Sequence, residues 1–124
     1  MKIAIVKLSA LGDIVHAMVV LQFIKKYNPA IEIDWVVEKG NEELLESHPD
    51  INKVIVLNTK DIKKKKSLYL LYMELKRLRK YGPYDLVIDM QSLLKSAIIS
   101  RLIPSRVTLG FEKFSAREGL ASIF

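Results

Sequence analysis

The sequence predicts a Rossmann-like α/β fold, a parallel sheet with covering helices. Two observations carry that reading. Short β-rich runs alternate with stretches of helical period along the chain, the pattern of successive βαβ units. The turn dipeptides Asn28-Pro29 and Gly82-Pro83 fall between such elements, where proline cannot continue a helix and glycine accepts a sharp turn.

Taken in order, Lys2 to Lys7 reads as an apolar strand. After a short turn a helix is expected from about Asp13 to Tyr27, stopped by Asn28-Pro29. Ile31 to Val37 is the second strand, Gly40 to Ser47 a short helix, and Lys53 to Leu57 the third strand. From Ser67 to Tyr81, Leu68, Leu71, Tyr72, Leu75 and Leu78 recur at helical spacing. Asp85 to Met90 reads as a buried fourth strand, Ser92 to Leu102 as a helix, and Arg106 to Leu109 as a short fifth strand.

A chain of 124 residues has the size of one domain. With 50% apolar and 27% charged residues and no long biased tract, its composition is that of a folded domain. The absence of cysteine excludes a disulfide framework and a thiolate metal site, and it agrees with a reducing compartment, the cytosol by default. Two histidines and no clustered acidic motif give no support to a metal site of any other kind. The opening strand does not resemble a secretory signal, and the apolar stretch from Ile14 to Ile24 is interrupted by His16 and Gln22. It is also shorter than the roughly 20 residues that span a bilayer, so a soluble or peripheral protein is expected.

Charge is unevenly spread within the formal total of +6. Residues 32 to 50 carry seven acids against Lys39, whereas residues 60 to 81 carry nine bases against Asp61 and Glu74. One basic face results, suited to phosphate-bearing partners: a nucleic acid, an anionic membrane or an anionic small molecule.

In open parallel sheets, ligands gather at the carboxyl ends of the strands. There the first loop reads Lys7-Leu8-Ser9-Ala10-Leu11-Gly12-Asp13, with neither the glycine pattern of dinucleotide folds nor a phosphate-loop lysine. It offers a glycine for a tight turn and a carboxylate at a helix start, where backbone N–H groups accommodate negative charge. Asp13 can serve there as a helix cap, and the same carboxylate can take a proton from an acceptor hydroxyl. His16, one turn on, is secondary. Glu38, Lys39 and Gly40 border the same edge, as do Gln91, Ser92 and Lys95, with Lys95 the better contact for an anionic ligand. Trp35 is expected in the core.

Four ordered blocks, IVKLSALGDIVHAMVVL, IDWVVEKG, YDLVIDMQSLLKSA and AREGLASIF, resemble those of the ADP-heptose:lipopolysaccharide heptosyltransferases of glycosyltransferase family 9, and of heptosyltransferase I in particular. The resemblance runs from the first residue to the last. It implies the amino-terminal, acceptor-binding domain of a GT-B enzyme over residues 1 to 124, incomplete at its end and lacking a donor-binding domain, and therefore inactive alone. It further implies a metal-free, cofactor-free inverting transfer from ADP-heptose to Kdo on lipid A, with Asp13 as base and Ser9, Ala10, Leu11 and Gly12 shaping the acceptor loop. Lys60, Lys63 and Lys64 in the Lys60 to Lys66 segment, together with Arg117, would hold the anionic acceptor. Lysine stands where arginine is frequent, keeping charge but losing bidentate geometry. The expected setting is cytoplasmic and peripheral, on the cytoplasmic leaflet of the inner membrane, with a monomeric complete enzyme and no nucleic-acid partner.

Two other classes fit part of the pattern. A non-catalytic phosphate-binding α/β module would account for fold and charge but needs a glycine-rich loop that the first turn lacks. Nucleic-acid binding would account for the basic face, yet no reader motif accompanies it.

Overall fold

The computed structural model describes residues 1–58, 62, 64–91 and 94–110. Among them, five strands form one parallel sheet: β1 (Lys2–Val6), β2 (Glu32–Glu38), β3 (Lys53–Leu57), β4 (Tyr84–Asp89) and β5 (Ser105–Gly110). The helices are α1 (Leu11–Ala17), α2 (Val19–Tyr27), α3 (Glu43–Glu46), α4 (Leu68–Leu78) and α5 (Leu94–Leu102). The strand order β3-β2-β1-β4-β5 leaves β1 in the middle, paired with β2 on one side and β4 on the other. The chain steps outward from β1 to β3 and then returns across β1. Such a reversal opens a crevice between the two loops that leave the sheet there.

Side chains alternate across the pleat and so build two cores. Ile3, Ile5, Ile33, Trp35 and Val37 meet Ile14, Ala17, Leu21 and Leu45 of α1, α2 and α3 on one face. Ala4, Val6, Val36, Ile55 and Val87 meet Leu78 of α4 and Ile99 of α5 on the other. The second face also carries buried polar groups. The Tyr84 hydroxyl donates to Asp34 at 2.5 Å, and the Asn52 amide donates to the same carboxylate at 3.2 Å. Burial, and then the hydrogen bond to Asp34, push the Tyr84 hydroxyl far above the ordinary tyrosine range, so it stays a donor.

The alternation read from the sequence is reproduced, with differences at the ends and one interruption. The expected helix from Asp13 to Tyr27 starts at Leu11 and is two pieces, parted at Met18. There the Leu21 amide bonds the Met18 carbonyl at 3.0 Å, a tighter i to i+3 closure, beside the β-branched pair Val19-Val20 that crowds the preceding turn. The short helix expected from Gly40 to Ser47 contracts to α3, because Gly40 sits at φ 106° as a turn residue. Ser67 caps α4, its hydroxyl accepting from the Leu70 amide at 3.2 Å. The fifth strand is longer than expected and lies at the sheet edge, largely exposed.

Candidate functional site

The loop leaving β1 is held by its backbone. The Leu8 and Ser9 amides both donate to the Gln91 side-chain oxygen, at 3.0 and 3.3 Å, from just beyond β4. On the other flank, the Leu8 carbonyl accepts from the Glu38 amide and from the Asn41 side chain, each at 3.2 Å. Trp35, buried in the core as expected, donates its indole N–H to the Lys7 carbonyl at 3.1 Å. Gln91 is itself steadied through its amide, which donates to Asp89 at 3.0 Å, while Asp89 accepts from Ser96 at 3.1 Å. Groups from both neighbouring strands therefore converge on three residues, Lys7, Leu8 and Ser9.

That clamped segment presents an exposed lip. Ser9 is half-buried, and Ala10, Leu11, Gly12 and Asp13 are exposed, so five of the expected site residues stand together at the carboxyl end of β1. Two expectations about their local roles are corrected. Asp13 does not cap the helix: Ala10 occupies the cap position, no side chain caps α1, and Asp13 stands in its first turn. Nor does Gly12 make a tight turn. It lies inside α1, and a Cβ there would meet no atom within 4 Å. The fold does not require glycine at that point; the open backbone beside Asp13 is a feature of the surface. His16, in the last turn of α1, is exposed one turn beyond Asp13.

The basic region lies past β3, two strands from β1 and so roughly 10 Å away across the sheet. Lys64, Lys65 and Lys66 are exposed. A groove of about 540 Å³ runs between them and α4, lined among others by Asn58, Lys65, Met73, Arg77 and Lys80. Arg77 is committed to the fold: it pairs with Glu74 and donates to the Val56 carbonyl at 2.6 Å and to the Tyr81 hydroxyl at 2.9 Å. Lys60, Lys63 and Arg117 lie outside the described residues. Lys95 falls on α5, at the far side of the β1–β4 crevice, with its side chain outside the described part. Glu38 is buried at the end of β2, Lys39 and Gly40 are exposed, and Gln91 faces the loop. Among the described residues, no group of three or more His, Cys, Asp or Glu side chains could hold a metal.

Asn41 was not legible as a functional residue, and Gln91 was legible only as a border residue. A side chain that satisfies a distant backbone amide leaves no local period behind, and Gln91 reaches a loop more than 80 residues earlier. The available signal was the position of each just after a strand, where polar side chains can turn toward the neighbouring loop.

A model of glycosyltransferase family 9 (heptosyltransferase) matches residues 73–124. The lipopolysaccharide heptosyltransferase 1 of Campylobacter coli is 48% identical over 124 residues, covering 100% of this chain and 34% of that protein. The chain is similar over its whole length to the family 9 heptosyltransferases. The corresponding protein of Pseudomonas aeruginosa is 39% identical over the whole chain, covering 36% of its own length. The chain thus spans about a third of the length of the curated relatives it matches. The structure of E. coli heptosyltransferase WaaC with ADP-2-deoxy-2-fluoro heptose superposes over 99% of this chain and 40% of WaaC, with a TM-score of 0.83 at 34% identity. The Rossmann-like fold of this chain is therefore that of the matched part of WaaC.

Proposed function

We propose that this chain is the acceptor-binding part of a GT-B enzyme that transfers heptose from ADP-heptose to a Kdo residue of lipid A with inversion. The observation that carries it is the exposed Asp13 carboxylate on a loop whose backbone is held from both sides, within a chain similar over its whole length to lipopolysaccharide heptosyltransferases. Inverting displacement needs one carboxylate and a fixed position for it. In the step proposed, Asp13 takes the proton of the Kdo hydroxyl as its oxygen bonds to the anomeric carbon. The bond from that carbon to the ADP oxygen breaks on the opposite face, and ADP leaves with the electron pair.

The reading assigns the donor to residues beyond this chain and asks for no metal or other cofactor. Ser9, Ala10, Leu11 and Gly12 form the acceptor's seat, open beside Gly12. The lysines after β3, Lys60, Lys63 and Lys64, with Lys95 and Arg117, supply positive charge for the Kdo carboxylate and lipid A phosphates. Work on a membrane-anchored acceptor at the cytoplasmic leaflet suits a protein in which no helix among the described residues is long and apolar enough to cross a membrane.

The test uses protein of the relatives' full length, ADP-heptose and Kdo-bearing lipid A, with and without a chelator. Transfer that survives chelation, giving a product of anomeric configuration opposite to the donor's, is expected. Retention of configuration, or no transfer to Kdo-bearing lipid A, would overturn the reading.

A further inference from the structure

The outward surface of α4 is unusual for a helix of an α/β layer, because its first half shows apolar side chains to solvent. Leu68 is 83% exposed, Tyr69 69%, Tyr72 59% and Met73 45%. Tyr72 and Met73 lie three and four residues after Tyr69, and Lys76 four and three after them, so the four share one side of the helix. The Lys76 ammonium stands 5.8 Å from the Tyr72 ring centre, which joins the apolar and basic parts into one surface. Directly before the helix come exposed Lys64, Lys65 and Lys66, and Lys66 at φ 50° turns the chain into the Ser67 cap. Glu74, the acid of this helix, is paired with Arg77 and does not offset the lysines.

From these features we infer that the Lys64 to Lys66 segment and the first half of α4 are a docking surface for an anionic phospholipid bilayer. Exposed tyrosine and leucine rimmed by lysine is the composition of a helix that lies in the headgroup layer, rings at the boundary and ammonium groups on lipid phosphates. Charge complementarity favours a lipid surface, since a second copy of the chain would bring lysines against lysines. Placement agrees. A helix that follows a parallel strand begins at the carboxyl edge of the sheet, so this surface sits at the same edge as the Ser9 to Asp13 lip. Docking there would hold the lip toward the bilayer. The inference rests on the proposed function only for the purpose of docking.

The test is flotation of the 124-residue chain with phosphatidylcholine vesicles and with vesicles of phosphatidylcholine and phosphatidylglycerol. Binding to the second alone is expected. Replacing Lys64, Lys65 and Lys66 by Gln should weaken it on the order of 100-fold, as three surface-proximal lysines are lost. The Leu68→Ser, Tyr69→Ser double variant should lose the binding that persists at high salt, whereas Phe23→Ser on α2, an equally exposed apolar site, should change neither. Circular dichroism of each variant confirms the fold. Equal losses from Phe23→Ser, or unchanged flotation in both α4 variants, would overturn the inference. So would a lipid-free dimer dissolved by the double variant, or an RNA oligonucleotide that competes fully while the apolar variant binds normally. The flotation requires no sugar transfer. Failure here beside active full-length enzyme removes the surface alone, and flotation beside an enzyme that does not use Kdo-bearing lipid A removes only the proposed reaction.

Discussion

The carboxyl ends of β1 and β3 solve opposite problems. At β1 the loop donates to Gln91 and accepts from Asn41, Glu38 and Trp35, and it carries a single exposed acid. Beyond β3, Lys64, Lys65 and Lys66 stand in solvent, in a run along the chain. Proton transfer depends on position to a fraction of an ångström, so it calls for a loop with its amides and carbonyls satisfied. Attraction of an anion depends on summed charge over several ångströms and tolerates mobile side chains. On the proposed function the contrast would separate a geometric site from an electrostatic one, and substitutions at the two ends should then separate in kind as well as in size.

The largest effect is expected from Asp13→Asn in protein of the relatives' length, with kcat reduced roughly 10²-fold or more, the usual scale for removal of a general base. Affinities for acceptor and donor should change little, measured by steady-state transfer beside direct binding. Near-normal kcat in the folded variant would end the catalytic assignment and, with it, the distinction between the two ends.

Gln91→Leu tests the clamp without touching the acid. Two loop amides lose their shared acceptor, which should cost about 1–3 kcal/mol of stability and let Asp13 drift. A fall in kcat of roughly 10- to 100-fold with acceptor KM nearly unchanged is the expected signature of a misplaced group. A rise in KM alone would mean that the loop binds rather than positions.

Lys64→Ala should do the reverse, raising acceptor KM by about 2- to 5-fold at low salt, within the range of one exposed charge, and leaving kcat alone. The increase should vanish as ionic strength rises. Gly12→Ala carries the smallest effect on the fold, and of the opposite sign. With open space at its Cβ, alanine should stabilise α1 by about 0.5–1 kcal/mol in a thermal melt. Weaker acceptor binding in that more stable variant would identify Gly12 as part of the seat.

Much of the fold was legible because each strand and helix writes its own period. The five-strand alternation and the Asn28-Pro29 stop depend on neighbours in sequence, and they appear where expected. The seam at Met18 was not legible, because Ile14, Ala17 and Leu21 keep an unbroken apolar stripe across it. Asp13 could be placed at the right edge, but Ala10 in the cap position could not be foreseen from a sequence whose only cap-forming side chains nearby were Ser9 and Asp13. The clamps were the least legible part, since they join a side chain to the backbone of a residue far away in sequence.

That distance has a consequence in time. β1 and its loop are made first, and β2 and β3 follow, yet the Leu8 and Ser9 amides wait for an acceptor at position 91. Closing a connection of that length is among the slower events in assembly of a parallel sheet. The three-strand half can therefore collapse around Trp35, with Asn41 and Glu38 already holding Leu8, while the second clamp arrives only when β4 slots in beside β1. A defect that delays that docking would yield a chain with β1 to β3 packed around Trp35 and the Leu8 and Ser9 amides still unpaired.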